Sequence, residues 1–278
     1  MNFLIGDICF EMDNTLAQAQ QPHVMSFVSD HFAQVACTVS DAPPQLGSCL
    51  FHSGLTWRLH DTTDGYALCM YRGEAEEVYQ TLHLTRDFLR GEVHVPLGIT
   101  PGAVSLYSLD SGLFQLWASF LLTRSRGVVV HALGVKRQGM AHVFLGKSGA
   151  GKSTLARLIT QAGAGDILSD DRVVVRRDGD EFRVYGTPWN GESQHHLADH
   201  APLKAIYFLE QTPSCILMPI STAVSATQVF AASSVAGWPI MNAMQSVLDL
   251  TAAMAKSATG YRFGFTPDNR AMKALGWS

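Results

Sequence analysis

Met140-Ala-His-Val-Phe-Leu145 runs straight into Gly146-Lys147-Ser148-Gly149-Ala150-Gly151-Lys152-Ser153-Thr154, and this stretch decides the fold. The glycine-rich part matches G-x-x-x-x-G-K-[ST] in full. An apolar run before it reads as a buried strand, and Thr154-Leu-Ala-Arg-Leu-Ile159 after it reads as a helix, predicted over Lys152 to about Ala162. That strand, loop and helix order predicts an α/β domain with a phosphate-binding loop. Glycines let successive backbone N–H groups converge on an anion, and the helix begins with its positive end aimed at the same point. The residues from Gly146 to Thr154 are therefore the candidate nucleotide site, with Lys152 reaching the β- and γ-phosphates of ATP and the Ser153 hydroxyl placed to ligand Mg²⁺.

Downstream, Ile167-Leu-Ser-Asp170-Asp171 is an apolar entry ending in two carboxylates. Within a strand, neighbouring side chains point to opposite faces, yet at a strand end both can border one site. One of Asp170 and Asp171 is a candidate Mg²⁺ ligand, and the other a candidate acceptor of a proton from an attacking hydroxyl. The bland alternative pairs Asp171 with Arg172 or Arg176 on a solvated strand. Upstream, Val128-Val-Val-His131 is a compact β-branched run whose His131 would lie beside the strand entering the loop. Glu192, in Gly186-Thr-Pro-Trp-Asn-Gly-Glu192, sits in a turn bracketed by glycines and is a candidate second metal ligand or substrate-orienting acid. His195, His196, Asp199 and His200 form a further cluster. If that stretch is helical, His196 and His200 share one face at a zinc-binding spacing, though no third ligand is evident.

Together these pieces resemble the catalytic domain of HPr kinase/phosphorylase and, more remotely, ATP-dependent phosphoenolpyruvate carboxykinase. The resemblance covers about residues 127–275. It implies that His131, Lys152, Ser153, Asp170 and Asp171 line a phosphoryl-transfer site. The glycine-rich segment that follows the acids in that family, associated with recognition of the HPr protein, has no counterpart in this chain. In its place, Gly186–Glu192 is similar to a GTPW-x-GE stretch of HPr-kinase-related proteins. The section before residue 126 does not resemble the family's regulatory domain.

Charge divides the chain of 278 residues unevenly. Residues 1–125 hold five Arg, no Lys and thirteen Asp/Glu, a net of −8, whereas the rest holds fifteen Lys/Arg against eleven Asp/Glu, a net of +4. Two of the six lysines, Lys147 and Lys152, lie inside the glycine motif, which suits an anionic nucleotide. No dense basic run gives a footprint for nucleic acid. The longest nearly apolar stretch, Leu113 to Leu122, falls well short of the roughly 20 residues that span a bilayer. No basic secretory n-region precedes Asp7, and the five scattered cysteines contain no C-x-x-C pair, so a cytoplasmic protein with reduced thiols is expected.

Before residue 126 the pattern reads as short strands at Ile5–Glu11, Val35–Ser40, Leu55–His60 and Tyr66–Tyr71. A helix is expected at Glu74–Leu89, from Val78, Leu82, Thr85 and Leu89 at three- and four-residue spacings, and another at Ser105–Arg124. After residue 126, strands are expected at Ile167–Arg177, Glu181–Tyr185, Leu203–Glu210 and Tyr261–Phe265, and helices at Ile240–Ala255 and the C-terminus. The expected division is an accessory α+β domain over 1–100 and the catalytic domain over 101–278. The function expected is an ATP- and Mg²⁺-dependent kinase with a hydroxyl acceptor, a polyol, sugar or serine. The alternatives are a peptide or protein serine as acceptor, and an ATP-binding regulatory module without turnover. A carboxykinase would need an arginine set that is not visible, and self-association is left open.

Overall fold

The computed structural model describes residues 1–54, 56–72, 77–94, 108–234 and 243–277. They form a mixed α/β protein with two eight-stranded sheets, one in each of two compact units, the chain passing from the first to the second after Leu121.

In the first unit, β1 (Asn2–Ile5) and β2 (Ile8–Met12) form a hairpin turned by Gly6 and Asp7, both at positive φ. Asp13 caps the short α1 (Asn14–Gln18) by accepting a bond from the Leu16 N–H at 2.9 Å. The remaining strands are β3 (Val35–Ser40), β4 (Cys49–His52), β5 (Trp57–Asp61), β6 (Gly65–Arg72), β7 (Glu77–Thr85) and β8 (Arg90–His94), in the sheet order β1-β2-β3-β8-β7-β6-β5-β4.

The helix expected at Glu74–Leu89 is instead strand β7 wherever it is described; residues 73–76 lie outside the described residues. Helical spacing was the wrong period to follow. Gln80, Leu82 and Leu84 alternate into the core, and Leu82 pairs with Leu68 on one side and Val93 on the other. Val78 and Leu89, half of the supposed apolar stripe, are exposed. Tyr79, Thr81 and Thr85 add the β-branched and aromatic character that favours a strand.

The second predicted helix is α2 (Gly112–Arg124), with residues 105–107 of the expected span outside the described residues. Its first part belongs with the first unit, because Trp117 is fully buried there and its indole N–H donates to the Phe88 carbonyl at 2.9 Å. Gly91 makes the fit possible: a Cβ at that position would lie 2.5 Å from the Trp117 ring. The division between the units, after Leu121, falls within this helix.

The second unit opens with the long β9 (Gly127–Arg137), then β10 (Met140–Leu145), α3 (Lys152–Gln161), β11 (Asp166–Ser169), β12 (Arg172–Asp178) and β13 (Glu181–Tyr185). It continues with β14 (His200–Gln211), β15 (Ile216–Pro219), α4 (Thr222–Ala231), α5 (Ala243–Ser257), β16 (Thr259–Phe265) and α6 (Arg270–Leu275). Two strands change partners along their length. β9 pairs β12 through its first half and β10 and β11 through its second, while β14 pairs β13 at its start and then β10 and β16 in parallel. The pairings β9–β12–β13–β14–β10–β9 therefore close a ring.

Alternation along the strands feeds two cores. Val130, Val143 and Ile206 pack with Val229 of α4 and Met254 of α5, whereas Leu133, Phe144 and Tyr207 pack with Leu155 and Ile159 of α3 and Met272 of α6. Leu155 and Ile159 are fully buried four residues apart, each contributing about 1.5–3 kcal/mol. They pin α3 to the sheet and leave Ser153, Arg157 and Thr160 facing outward. Among the described residues, no helix is long and apolar enough to cross a membrane, and all five cysteines are unpaired.

Candidate functional site

Backbone geometry sets the loop between β10 and α3. Gly149 and Gly151 have φ of +79° and +106°, which strongly favour glycine. A Cβ on Gly151 would also meet the buried Phe265 ring at 2.8 Å. Gly146 is tight for a different reason, since its Cβ would lie 2.6 Å from that of Ala150. The loop is braced by the Ala150 N–H donating to the Lys147 carbonyl at 3.0 Å and the Gln211 side-chain amide donating to the Gly149 carbonyl at 2.7 Å. Gly151 is the N-cap of α3 and has no side chain with which to bond the helix's first N–H groups. Those donors, with the positive end of the helix dipole, suit an anion.

Lys152 is buried at 8% exposure, and its ammonium donates to the Gly146 carbonyl at 2.8 Å. Burial pushes its pKa down, while the charge of nearby Asp171 pulls it up. His131 lies in the same group. Strand register sets it opposite Arg172, and its Nε2 stands 3.5 Å from the Asp171 Oδ1. Burial, Lys152 and Arg172 together push the His131 pKa below its usual value against the opposing pull of Asp171, so the ring is neutral at pH 7. The Arg172 guanidinium binds the other oxygen of Asp171. The structure thus brings His131, Lys152, Asp171 and Arg172 together, and the ion pair that served as the bland reading of Asp171 is itself part of the cluster.

The single strand expected over Ile167–Arg177 is broken at Asp170 and Asp171, because β11 pairs the far half of β9 and β12 the near half. The two acids at this break do different things. Asp171 faces His131, whereas Asp170 is 3% exposed and accepts the N–H of Gly191 at 2.7 Å on one oxygen and that of Ser193 at 2.8 Å on the other. Gly191 is held so close that a Cβ there would lie 3.1 Å from the Asp171 Cβ. Asp170 therefore clasps the turn that carries Glu192.

That turn and α3 face each other across a cleft of about 460 Å³ lined by Ser153, Thr154, Arg157, Thr160, Gln161, Glu192, Ser193 and His195. Lys147 and Ser148 are exposed at the loop's outer side. Arg157, Ser193, Arg172 and Gln211 were not singled out from sequence as site residues. The first two join the site only through chain folding; Arg172 was visible as the neighbour of Asp171, and Gln211 carried no signal at all.

The histidine cluster does not form as a helical pair. The stretch is extended, with His196 bridging Ser169 and His200 beginning β14. Asp199 is tied to the Lys136 ammonium, which holds its carboxyl below the usual range despite partial burial. Among the described residues, no group of three or more His, Cys, Asp or Glu could hold a metal ion. Mg²⁺ does not need such a cage, since it is usually held by one or two carboxylates together with phosphate oxygens and water. The Ser153 hydroxyl lines the cleft, and the buried Asp170 carboxylate accepts the two backbone N–H bonds of the turn.

No family model matches the chain, and neither does any curated protein. Among solved structures, the HPr(Ser) kinase/phosphatase from Coxiella burnetii is similar at 8% identity and a TM-score of 0.29, over 54% of this chain and 92% of that chain. At that score the likeness carries no argument.

Proposed function

We propose that the second unit is a P-loop phosphotransferase of the HPr kinase/phosphoenolpyruvate carboxykinase type, moving the γ-phosphoryl group of ATP to a hydroxyl of a small molecule. One observation carries the reading. An uncapped helix N-terminus with a buried lysine, the arrangement that binds polyphosphate, lies electrostatically coupled to a carboxylate held beside a neutral histidine. Ser153 and Asp170, with Glu192 as a further ligand or a substrate contact, would hold Mg²⁺, which would supply charge neutralisation at the transferring group.

The chain's own groups do the rest. The loop amides from Gly146 to Thr154 and Lys152 bind the phosphates and stabilise charge that develops as the γ-phosphoryl group departs. Asp171, bound by Arg172 and with His131 beside it, accepts the acceptor's hydroxyl proton as the new O–P bond forms and ADP leaves. The acceptor class is argued from the cleft, whose volume suits a small molecule. The reading is tested by transfer of radiolabelled γ-phosphate to a metabolite library and to a lysate. Labelling of a small hydroxylated compound is expected, and ATP binding with neither labelled refutes it.

A further inference from the structure

The cleft along α3 carries more than the transfer chemistry needs. Arg157 projects from the outward face of the helix, and Glu192 from the clasped turn opposite. Both line the same cleft, yet among the described residues neither has an ion-pair partner, including each other. Five of the unit's other arginines, Arg172, Arg177, Arg183, Arg262 and Arg270, are each bound to a carboxylate. A guanidinium on one wall and a carboxylate on the other, kept apart, are complementary to a ligand bearing both charges, an anionic group toward α3 and a cationic one toward the turn. Gly191, the residue before Glu192, lies against Asp171, since a Cβ there would stand 3.1 Å from the Asp171 Cβ. Ser153, at the phosphate end of α3, lines the same cleft.

We infer that this cleft is the acceptor pocket and that the acceptor is a zwitterionic hydroxy amino acid, with its carboxylate on Arg157, its ammonium on Glu192 and its hydroxyl toward Asp171. The inference rests on the phosphotransferase reading of the same site and deepens it. In the step it describes, the side-chain hydroxyl oxygen bonds to the γ-phosphorus, the β,γ-bridging P–O bond breaks, the hydroxyl proton passes to Asp171, and ADP leaves. Arg157 is a specificity-determining residue, and Asp170 a positioning residue that acts through the turn. Glu192 then belongs to the substrate rather than to the metal.

The test compares four acceptors on the full chain with Mg²⁺ and ATP. These are a hydroxy amino acid (L-serine, L-homoserine or L-threonine), glycerate without the ammonium, ethanolamine without the carboxylate, and a peptide with an internal serine. The amino acid is expected to exceed each of the others by about tenfold or more in kcat/KM, the worth of one charge-assisted contact. Arg157→Gln should raise KM for the amino acid more than it lowers kcat and erase the discrimination against ethanolamine, and Glu192→Gln should do the same for glycerate. Equal labelling of ethanolamine or of the peptide, or an unmoved KM in Arg157→Gln, overturns the inference while leaving the kinase reading intact. Calorimetric binding of L-serine and of O-phospho-L-serine needs no turnover. Binding lost in Arg157→Gln without any transfer keeps the pocket and sinks the kinase, and no binding to the wild-type chain sinks the pocket.

Discussion

Asp170→Asn separates a clasp from a metal ligand. The carboxylate accepts two backbone N–H bonds, at 2.7 and 2.8 Å, in a position only 3% exposed. Bonds to a charged acceptor contribute about 1.5–3 kcal/mol each and neutral ones about 1 kcal/mol. Asparagine offers one acceptor oxygen in place of two. Its amide nitrogen would face whichever of the Gly191 and Ser193 N–H groups the oxygen does not serve. One bond is weakened and the other replaced by two opposed donors, a loss of about 3 kcal/mol. For a unit of this size, that lowers the melting temperature by roughly 6–12 °C, taking 2–4 °C per kcal/mol. The assay is calorimetric unfolding of both proteins in chelator and without nucleotide, so that metal binding contributes nothing, with amide exchange followed over residues 189–196. Faster exchange in that turn should accompany the lost stability. An unchanged melting temperature with unchanged protection of the Gly191 and Ser193 amides would refute the clasp and return Asp170 to a purely metal-binding role.

Gly151→Ala imposes a Cβ on a φ of +106° and 2.8 Å from a buried phenylalanine ring, a cost of about 1–3 kcal/mol, and should abolish ATP binding as measured by equilibrium fluorescence. Asp171→Asn should keep ATP binding and lower kcat by about 10²–10⁴-fold, the range for a lost general base; transfer at the wild-type rate would point to another group as the base. His142 is held down to about 4 by burial, with Arg137 and Lys204 adding to the effect, whereas an unfolded histidine titrates near 6.5. The unfolded chain therefore binds the proton first, so this contribution, about 3 kcal/mol, is present above pH 6.5 and lost as the pH falls toward 4. Urea unfolding of the wild type and His142→Gln across that range should show the variant with the flatter acid limb.

What could be read from the sequence was whatever is local. The glycine loop is a contiguous motif whose steric demands, at Gly149 and Gly151, are met within a few residues, so strand, loop and helix were all legible. His131 could be placed beside the loop because the intervening β10 is short and antiparallel to β9. The period of residues 77–85 was not legible, because Val78, Leu82, Thr85 and Leu89 fit a helix as well as Gln80, Leu82 and Leu84 fit a strand; cross-strand partners at Leu68 and Val93 decide between them. The helical zinc pair failed similarly, since Ser169, from another strand, holds His196 extended.

The paired acids show where the limit lies. Sequence placed both at one site and left their roles interchangeable. In the structure β9 exchanges partners beside them, so the chain breaks there and consecutive side chains take opposite directions. One direction meets His131, fixed by β-sheet register, and the other meets the Gly191–Ser193 turn, delivered by a hairpin. Each carboxylate has its own set of partners, which supports giving them different roles in the proposed reaction. The proposed division of labour follows from the strand break, and the strand break from β9 being long enough to belong to two sets of neighbours.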